Sequence, residues 1–369
     1  MTRHSGSWDA IVVGGGPAGA VAAMQLARTR RVLILEQAPE TRGRIGESLP
    51  PACRPLLRDL GLLERMEGHR PYLGNRALWG GSLATHDFLR DPQGAGWHLD
   101  RAAFDTMLLA AALDAGATLR RGVTLRTLTR KADEWGVVTN LGQQLRTRLL
   151  VDASGRAAAL CRRLGARRRR LDRLTAIYAV LRSDPGLPVD TFSRIEAAAD
   201  GWWYTAPLPA GGRVVGYHSD SDRPVLRALA TADGFLAALS RTRMIAPEVA
   251  LDGATVAEGP HVVPAHSAVT DPPVGDRWLA VGDAALALDP LSSQGLMNAL
   301  FTGMAGGDAA TALLAGDGTA GHAYAARIAD IHAAYTANLA QFYEAEAGLH
   351  GGAFWTRRAA EPLRAAAGT

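Results

Sequence analysis

The fold is decided by residues 8–36, which read WDAIVVGGGPAGAVAAMQLARTRRVLILE. The pattern predicts a strand over 9–13, a tight glycine turn, a helix over 18–28 and a second strand over 31–35. The glycines of the turn match the G-x-G-x-x-G spacing of dinucleotide-binding βαβ units. Because a strand, a helix and a following acidic residue accompany them, we interpret the stretch as a dinucleotide site and not as a glycine-rich turn of another α/β unit.

Each residue of this turn has a separate physical role. Gly14 permits the sharp turn, Gly16 lets the backbone approach a pyrophosphate without a Cβ in the way, and Gly19 lets the helix pack closely on the strand. Pro17 suits the first turn of the helix, where its missing N–H costs nothing. The free N–H groups at this helix start, near Ala18, are expected to face the phosphates.

An acidic residue ends the second strand of the unit. Glu36 lies 22 residues beyond Gly14, close to the spacing of about 20 residues at which a carboxylate accepts hydrogen bonds from ribose hydroxyls. Its negative charge also disfavours a 2′-phosphate at that position by repulsion.

Composition limits the other classes of function. The chain has 369 residues, of which 47% are hydrophobic and 21% charged, which suits a two-lobed globular protein and not a disordered one. A net charge of +4 is too small to indicate nucleic-acid binding by itself. Cys53 and Cys161 form no paired motif, no apolar leader precedes residue 9, and no run of about 18 apolar residues occurs. We therefore expect a cytoplasmic protein without a membrane span, a nucleic-acid partner or a metal site.

Four later stretches carry further chemistry. Residues 46–51, GESLPP, place polar side chains where they either face a cofactor or cap the following helix. Residues 97–105, WHLDRAAFD, lead into a predicted long helix, and residues 152–156, DASGR, end a predicted strand. Residues 282–295, GDAALALDPLSSQG, join a strand end to a helix start, where Asp283 can accept hydrogen bonds from a hydroxyl and free N–H groups can face an anion.

A second sheet is predicted in the middle of the chain. Alternation puts Trp202 and Tyr204 on one face of a strand and Trp203 on the other. Such a face either covers a cofactor, grips an aromatic substrate or packs within the protein, and the residues alone leave this open. Residues 224–243 are predicted to be helical. The run Arg167 to Arg170 is either a solvated charged face or a docking patch for an acidic partner or a phosphate-bearing electron donor.

Together these stretches make the chain resemble the FAD-dependent aromatic hydroxylase superfamily, which has the p-hydroxybenzoate hydroxylase fold. The motifs GGGPAG with Glu36, WHLDRAAFD, DASGR and GDAALALDPLSSQG occur in the expected order over most of the chain. The resemblance implies an α/β protein, in which a Rossmann-type FAD-binding domain is intertwined with a smaller α+β substrate domain built on an antiparallel sheet, with C-terminal helices. The implied boundaries are 1–73, 97–175 and 268–317 for the FAD-binding domain, 74–96 and 176–267 for the substrate domain, and 318–369 for the helices.

The resemblance also implies the site residues. Arg101 is similar to the arginine that family members place near the FAD phosphate and ribose, and residues 295–297 are expected to approach the flavin ring. The full set expected to bind FAD is Gly14, Gly16, Pro17, Ala18, Gly19, Glu36, Gln37, Arg44, Ser48, Arg101, Asp283, Pro290, Gly295, Leu296 and Met297. The candidate catalytic residues are Glu47, Trp202, Tyr204 and Asp289, with Glu47 as the base that takes a ring proton.

Within the superfamily the chain is similar to two groups. One is the flavin-dependent halogenases, and the other is the flavoproteins that oxygenate a partner's tryptophan during tryptophylquinone maturation (the LodB, GoxB and QhpG group). Halogenases carry W-x-W-x-I-P, from which Tyr204 and Ala206 depart here, and use a lysine to deliver hypohalous acid. The only lysine is Lys131, outside the expected loop, where Arg70 and Arg76 stand instead. Because a guanidinium does not readily lose a proton, we expect a hydroxylase before a halogenase.

The expected reaction is hydroxylation of an electron-rich aromatic ring through a flavin C4a-hydroperoxide, with O₂ as co-substrate. NAD(P)H is the expected reductant, either directly or through a separate flavin reductase, and Asp152-Ala-Ser-Gly155 in place of the hydroxylases' Asp-Gly motif weakens the direct route. The substrate is either a tryptophan in a peptide or partner protein or a free aromatic metabolite. The alternatives are a halogenase, a flavin reductase of isoprenoid double bonds, and a flavin-bearing partner without enzymatic activity.

Overall fold

The computed structural model describes residues 6–41, 43–182, 190–248 and 254–360. Its strands are β1 Ser7–Val13, β2 Val32–Glu36, β3 Ser48–Leu49, β4 Arg70–Tyr72, β5 Gly74–Trp79, β6 Ser82–Asp87, β7 Gly96–His98, β8 Thr118–Arg121, β9 Leu125–Lys131, β10 Glu134–Thr139, β11 Gln144–Asp152, β12 Arg167–Arg170, β13 Leu174–Arg182, β14 Phe192–Ala198, β15 Gly201–Pro207, β16 Arg213–Asp220, β17 Thr255–Pro264, β18 Ala268–Asp271, β19 Val274–Gly275, β20 Trp278–Ala280 and β21 Leu286–Ala287. Its α-helices are α1 Pro17–Ala27, α2 Arg54–Asp59, α3 Arg101–Asp114, α4 Ala159–Arg163, α5 Val225–Ala228, α6 Ala232–Leu239, α7 Ile245–Glu248, α8 Gly295–Leu314, α9 Thr319–Ala347 and α10 Ala353–Ala360.

The first sheet has the parallel centre that the glycine turn predicts, with antiparallel strands β9, β10 and β19 added to it. β1 lies between β2 and β11, β2 pairs with β8, and β11 pairs with β20, all in parallel. All five residues of β2 are buried, as expected for a strand that is covered on both faces. Helix α1 packs against α3 and α8, so the helix that follows the glycine turn lies in the centre of this lobe.

The second sheet has the strand order β17-β13-β16-β15-β14-β5-β6. Its pairings are antiparallel except that between β14 and β5, which is parallel. β5 and β6 come from an early part of the chain and complete a sheet whose other strands follow residue 173. The chain therefore crosses between the sheets more than once, and the predicted intertwined α/β fold is confirmed. The exact domain boundaries stay a prediction.

Two small sheets link the lobes. β7 pairs with both β3 and β4, which sets Ser48 opposite His98, and β18 pairs with β12 and β21. The late part of the chain contributes α8, which covers α1, and the 29-residue helix α9.

Residues 224–243, predicted to be helical, contain two short helices. The segment forms α5 and α6, because the Thr231 hydroxyl accepts a hydrogen bond from the Gly234 N–H at 3.2 Å and starts a new helix. One face of the second sheet packs against these helices, with Trp203 against Phe235. Its other face points toward the parallel sheet.

Candidate functional site

A cavity of about 640 Å³ lies between the carboxyl ends of the parallel strands and the second sheet. Its wall combines the glycine turn, the GES, DASGR and GDAALALDPLSSQG stretches, and the aromatic strand β15. Sequence-predicted residues that line it are Gly14, Gly16, Pro17, Ala18, Glu36, Gln37, Arg44, Ser48, Arg101, Trp202, Tyr204, Asp283, Asp289, Pro290, Gly295 and Leu296. Segments that are far apart in the sequence thus form one continuous site.

The glycine turn has the geometry of a phosphate cradle. Gly14 has a φ of +112°, and a Cβ there would lie 2.2 Å from the Ala153 carbonyl oxygen. A Cβ at Gly19 would lie 2.0 Å from the Gly14 carbonyl oxygen. At Gly16 the nearest atom to such a Cβ is Arg44 Nη1, at 3.8 Å, so the space over this residue is open to the cavity. Two glycines are therefore required by packing, and the third leaves room for a ligand.

The carboxylate of Glu36 is fixed beside the turn. It accepts hydrogen bonds from the Gly15 N–H at 2.6 Å and the Ala38 N–H at 2.8 Å. The side chain is buried, yet it lines the cavity next to Gln37. A carboxylate has about four lone-pair positions, so it retains acceptor capacity for two ribose hydroxyls.

Arg101 organises the neighbouring loop. Its guanidinium donates to the carbonyl oxygens of Ile45 and Gly46 at 2.9 and 3.0 Å, and it forms an ion pair with Asp105 at 3.2 Å. Arg44 lines the cavity on the same side. Arg44 thus places a cation at this end of the cavity, which suits a pyrophosphate, whereas the charge of Arg101 is offset by Asp105.

The DASGR stretch turns its aspartate away from the cavity. The Asp152 carboxylate accepts hydrogen bonds from the N–H groups of Ser154, Leu160 and Cys161, at 2.8–3.0 Å. It therefore starts α4 and holds the backbone of residues 153–157 against the cavity. Arg156, which the sequence reasoning did not single out, forms an ion pair with Asp283 at 3.4 Å.

The late loop is tied to the C-terminal helix by a buried carboxylate. Asp289 accepts hydrogen bonds from the Leu291 N–H at 2.9 Å and the Tyr343 hydroxyl at 2.7 Å, and its own N–H donates to the Tyr335 hydroxyl at 2.8 Å. Burial, reinforced by the nearby charge of Asp172, raises the pKa of Asp289 to about 6. This loop leads directly into α8, whose first residue, Gly295, has open space above it.

The aromatic wall of the cavity is a stacked pair. The rings of Trp202 and His218 lie 3.7 Å apart with an interplanar angle of 5°, and both residues line the cavity. Burial lowers the pKa of His218 to about 3, so its ring is neutral at pH 7. The Trp202 indole N–H donates to the Tyr343 hydroxyl at 3.2 Å, which joins the wall to the network of Asp289.

Some predicted residues lie outside the wall. Gly19 and Met297 do not line the cavity, and neither does Glu47. Glu47 is 2% exposed, and its carboxylate accepts the Gly46 N–H at 2.9 Å. Burial raises its pKa. Its role as a base that takes a ring proton stays a prediction.

A second cavity of about 970 Å³ adjoins the first. It is bordered by β13, β17, α5, α9 and α10, and it shares Val263, Pro264 and Asp289 with the first cavity. Five arginines line it: Arg170, Arg173, Arg227, Arg357 and Arg358. Lys131 is exposed at the end of β9 and lines neither cavity.

Besides Arg156, sequence reasoning missed His218, Tyr343 and His98. His218 carried no motif, although its position opposite Trp202 in the β15–β16 pairing follows once the register is known. Tyr343 and His98 come from elements distant in sequence, and only the tertiary fold brings them to the site. Among the described residues no helix is long and apolar enough to cross a membrane.

Comparisons with known proteins agree with this geometry. The family profile described as an FAD binding domain matches residues 7–300. LodB of Marinomonas mediterranea, named as an FAD-dependent oxidoreductase, is 33% identical over 366 residues, which cover 95% of this chain and 97% of LodB. The myxobacterial chondrochloren halogenase CndH superposes with a TM-score of 0.83 at 26% identity, covering 95% of this chain and 86% of CndH. The peptidyl tryptophan dihydroxylase QhpG superposes with a TM-score of 0.76 at 27% identity, covering 96% and 79%.

The residues matched by the family profile include every stretch that builds the first cavity. The chain therefore belongs to the FAD-binding domain family, within the FAD-dependent aromatic hydroxylase and halogenase superfamily, and is an FAD-dependent oxidoreductase.

Proposed function

We propose that this enzyme is a monooxygenase that hydroxylates an electron-rich aromatic ring, with a tryptophan side chain of a polypeptide as the first candidate substrate. The observation that carries the proposal is the wall of the first cavity, where a dinucleotide cradle faces the stacked pair of Trp202 and His218. Similarity to QhpG, a peptidyl tryptophan dihydroxylase by name, and to LodB supports the choice of substrate.

The chain's residues fit FAD at the first cavity. Glu36 would accept the ribose hydroxyls, the open backbone at Gly16 and the Arg44 side chain would hold the pyrophosphate, and Asp283 would accept hydroxyls of the ribityl chain. Arg101 would act through the loop that it fixes at Ile45 and Gly46. The start of α8 at Gly295 would present free N–H groups to the flavin edge. Bound FAD would supply the electrons, taken from NAD(P)H directly or through a separate flavin reductase, with which O₂ is activated.

The protein's own contribution is to position the ring and to exclude water. Trp202 and the neutral His218, stacked on each other, form a rigid aromatic backing of the cavity wall beside which a ring can be held. Asp289, Tyr335 and Tyr343 fix the late loop from the far side. The second cavity shares Val263, Pro264 and Asp289 with the first, and this neighbouring space supports a substrate larger than a single ring.

Halogenation is the competing activity, because halogenases such as CndH share the fold. The position of Lys131 argues against it, since the ammonium group lies in an exposed hairpin and lines neither cavity. No other lysine is present in the chain, and arginine is a poor replacement for an amine nucleophile.

The test uses the purified protein with FAD, a flavin reductase, NADH, O₂ and a tryptophan-containing peptide, free tryptophan being tried in parallel. We expect the peptide to gain the mass of one or two oxygen atoms, in step with O₂ uptake. Chloride or bromide is added to half of the samples. A halide-dependent gain of chlorine or bromine would replace the proposal by halogenation, and oxygen-independent reduction of an isoprenoid would replace both.

A further inference from the structure

A chain of hydrogen bonds runs from the first cavity into the protein. The Tyr204 hydroxyl lies 2.7 Å from Ser48 Oγ, and Ser48 Oγ lies 3.2 Å from His98 Nδ1. The other ring nitrogen, His98 Nε2, lies 3.3 Å from the Thr191 carbonyl oxygen. Tyr204 and Ser48 line the cavity, whereas His98 is fully buried behind them.

The far end of this chain fixes the direction of every hydrogen bond in it. A carbonyl oxygen only accepts, so His98 Nε2 carries the hydrogen that it donates to Thr191. Burial lowers the pKa of His98 to about 3, so the ring is neutral and its Nδ1 is an acceptor. Ser48 therefore donates its one hydrogen to Nδ1, and Tyr204 donates its one hydrogen to Ser48.

Both hydroxyls at the cavity wall thus donate their hydrogens to partners within the protein. Only their lone pairs remain to interact with a ligand. We propose that Ser48 and Tyr204 form an acceptor-only subsite of the cavity, which selects aromatic rings that carry an N–H or O–H donor. This inference rests on the proposed function, because it concerns how an aromatic substrate is chosen. An indole, with its ring N–H, is the substrate class that the subsite fits.

Reversing the direction of these hydrogen bonds is unfavourable. If Tyr204 donated to a ligand, Ser48 would have to supply both Tyr204 and His98 Nδ1 with one hydrogen, or His98 would have to switch tautomer. The second choice sets the Nε2 lone pair against the Thr191 carbonyl oxygen in a buried position. Either choice leaves a buried polar atom without a partner, so a ring that only accepts hydrogen bonds should bind more weakly.

The test compares two ligands of nearly the same shape on the FAD-loaded protein. Indole carries a ring N–H, and benzofuran carries a ring oxygen that only accepts. Their affinities are measured from the change in the visible absorption of bound FAD, without turnover. We expect indole to bind about tenfold more tightly, the factor to which one hydrogen bond of about 1.4 kcal/mol corresponds.

Two variants separate this role from simple packing. Tyr204→Phe removes the acceptor oxygen, so the indole affinity should fall to that of benzofuran. Ser48→Ala frees the hydrogen of Tyr204, so benzofuran should gain affinity while indole loses the preference. The matched control is Tyr178→Phe on β13, whose ring packs beside His261 and lines neither cavity, and it should keep the tenfold ratio.

Bound FAD is a second possible source of a donor, and its midpoint potential distinguishes the two. If Tyr204 accepted a hydrogen bond from an N–H of reduced FAD, Tyr204→Phe would lower the potential, by about 30 mV for a tenfold change in relative affinity. We expect an unchanged potential. If Tyr204→Phe lowers the midpoint potential but leaves the ratio of indole to benzofuran affinity unchanged, Tyr204 binds the flavin. That result would overturn the assignment of the subsite to the substrate.

Equal binding of indole and benzofuran by the wild-type protein would overturn the inference while leaving the proposed monooxygenase intact. Protein that takes up no FAD, and therefore shows no flavin spectrum in the same samples, would instead refute the proposed function.

Discussion

At the scale of single residues, Asp289 combines structural ties with an unusual protonation equilibrium. It borders both cavities, is 1% exposed, and holds Tyr343 and the backbone of Leu291. Its pKa of about 6, against 3.8 for an unperturbed aspartate, means that folding itself opposes ionisation of this group. Ionisation of Asp289 is therefore coupled to the stability of the fold.

We predict that Asp289→Asn flattens the pH dependence of stability. Below about pH 4 the carboxyl is protonated in both states, whereas from about pH 4 to pH 6 only the unfolded chain releases the proton. Between pH 4.5 and pH 7 the free energy of unfolding of the wild type should therefore fall by about 2 kcal/mol relative to the variant. Urea unfolding at pH 4.5 and pH 7 measures the difference. A parallel pH dependence of wild type and variant would show that Asp289 ionises normally in the fold.

Which residues could be predicted depends on the range of the constraint. Gly14, Gly16 and Glu36 could be predicted from the sequence, because a tight turn and a fixed carboxylate spacing are local properties of the chain. Tyr343 lies 54 residues from its partner Asp289, and no local pattern marks it. His98 and His218 became visible only when strand register set them opposite Ser48 and Trp202.

At the scale of elements, strand β15 separates two functions on its two faces. Trp202 and Tyr204 line the first cavity, while Trp203 packs against Tyr217 and Phe235 in the core between the second sheet and α6. The alternation that predicts this division is confirmed. What the cavity face contacts was left open by the sequence, because a flat aromatic surface serves packing and binding equally well.

Substitutions of the neighbouring tryptophans should differ in their effect on the spectrum of bound FAD. Trp203→Leu removes part of a buried ring and should lower the free energy of unfolding by about 2 kcal/mol, with the visible spectrum of bound FAD unchanged. Trp202→Leu should also change that spectrum, because its ring lines the cavity. Urea unfolding and absorption spectra of both variants check this. Equal spectral changes would mean that β15 does not divide its faces in this way.

At the scale of the whole molecule, the first cavity joins segments that the sequence separates widely. Its wall includes residues from Val13 to Ala299 and touches both large sheets. The motifs and their order in the sequence predicted that these segments belong to one FAD site. The sequence could not predict the adjoining second cavity, because that space arises where α9 and α10 pack against the second sheet, and such packing depends on contacts between distant residues. A ligand that fills the first cavity can bind only when the entire arrangement is folded.

FAD should therefore stabilise the protein as one unit. By mass action a ligand at 100 times its Kd adds about 2.7 kcal/mol to the free energy of unfolding, so the wild-type midpoint of thermal unfolding should rise with added FAD in a single transition. Gly16→Ala is the sharpest variant, because its Cβ meets no atom closer than 3.8 Å and yet enters the space left for the pyrophosphate. It should keep the midpoint of the FAD-free protein and require at least tenfold more FAD for the same rise.

Gly43→Ala, with no atom within 4 Å and no place in the cavity wall, is the matched control and should respond like the wild type. If Gly16→Ala and Gly43→Ala respond alike, the glycine turn does not hold the pyrophosphate; if FAD shifts no midpoint, the cavity is not its site.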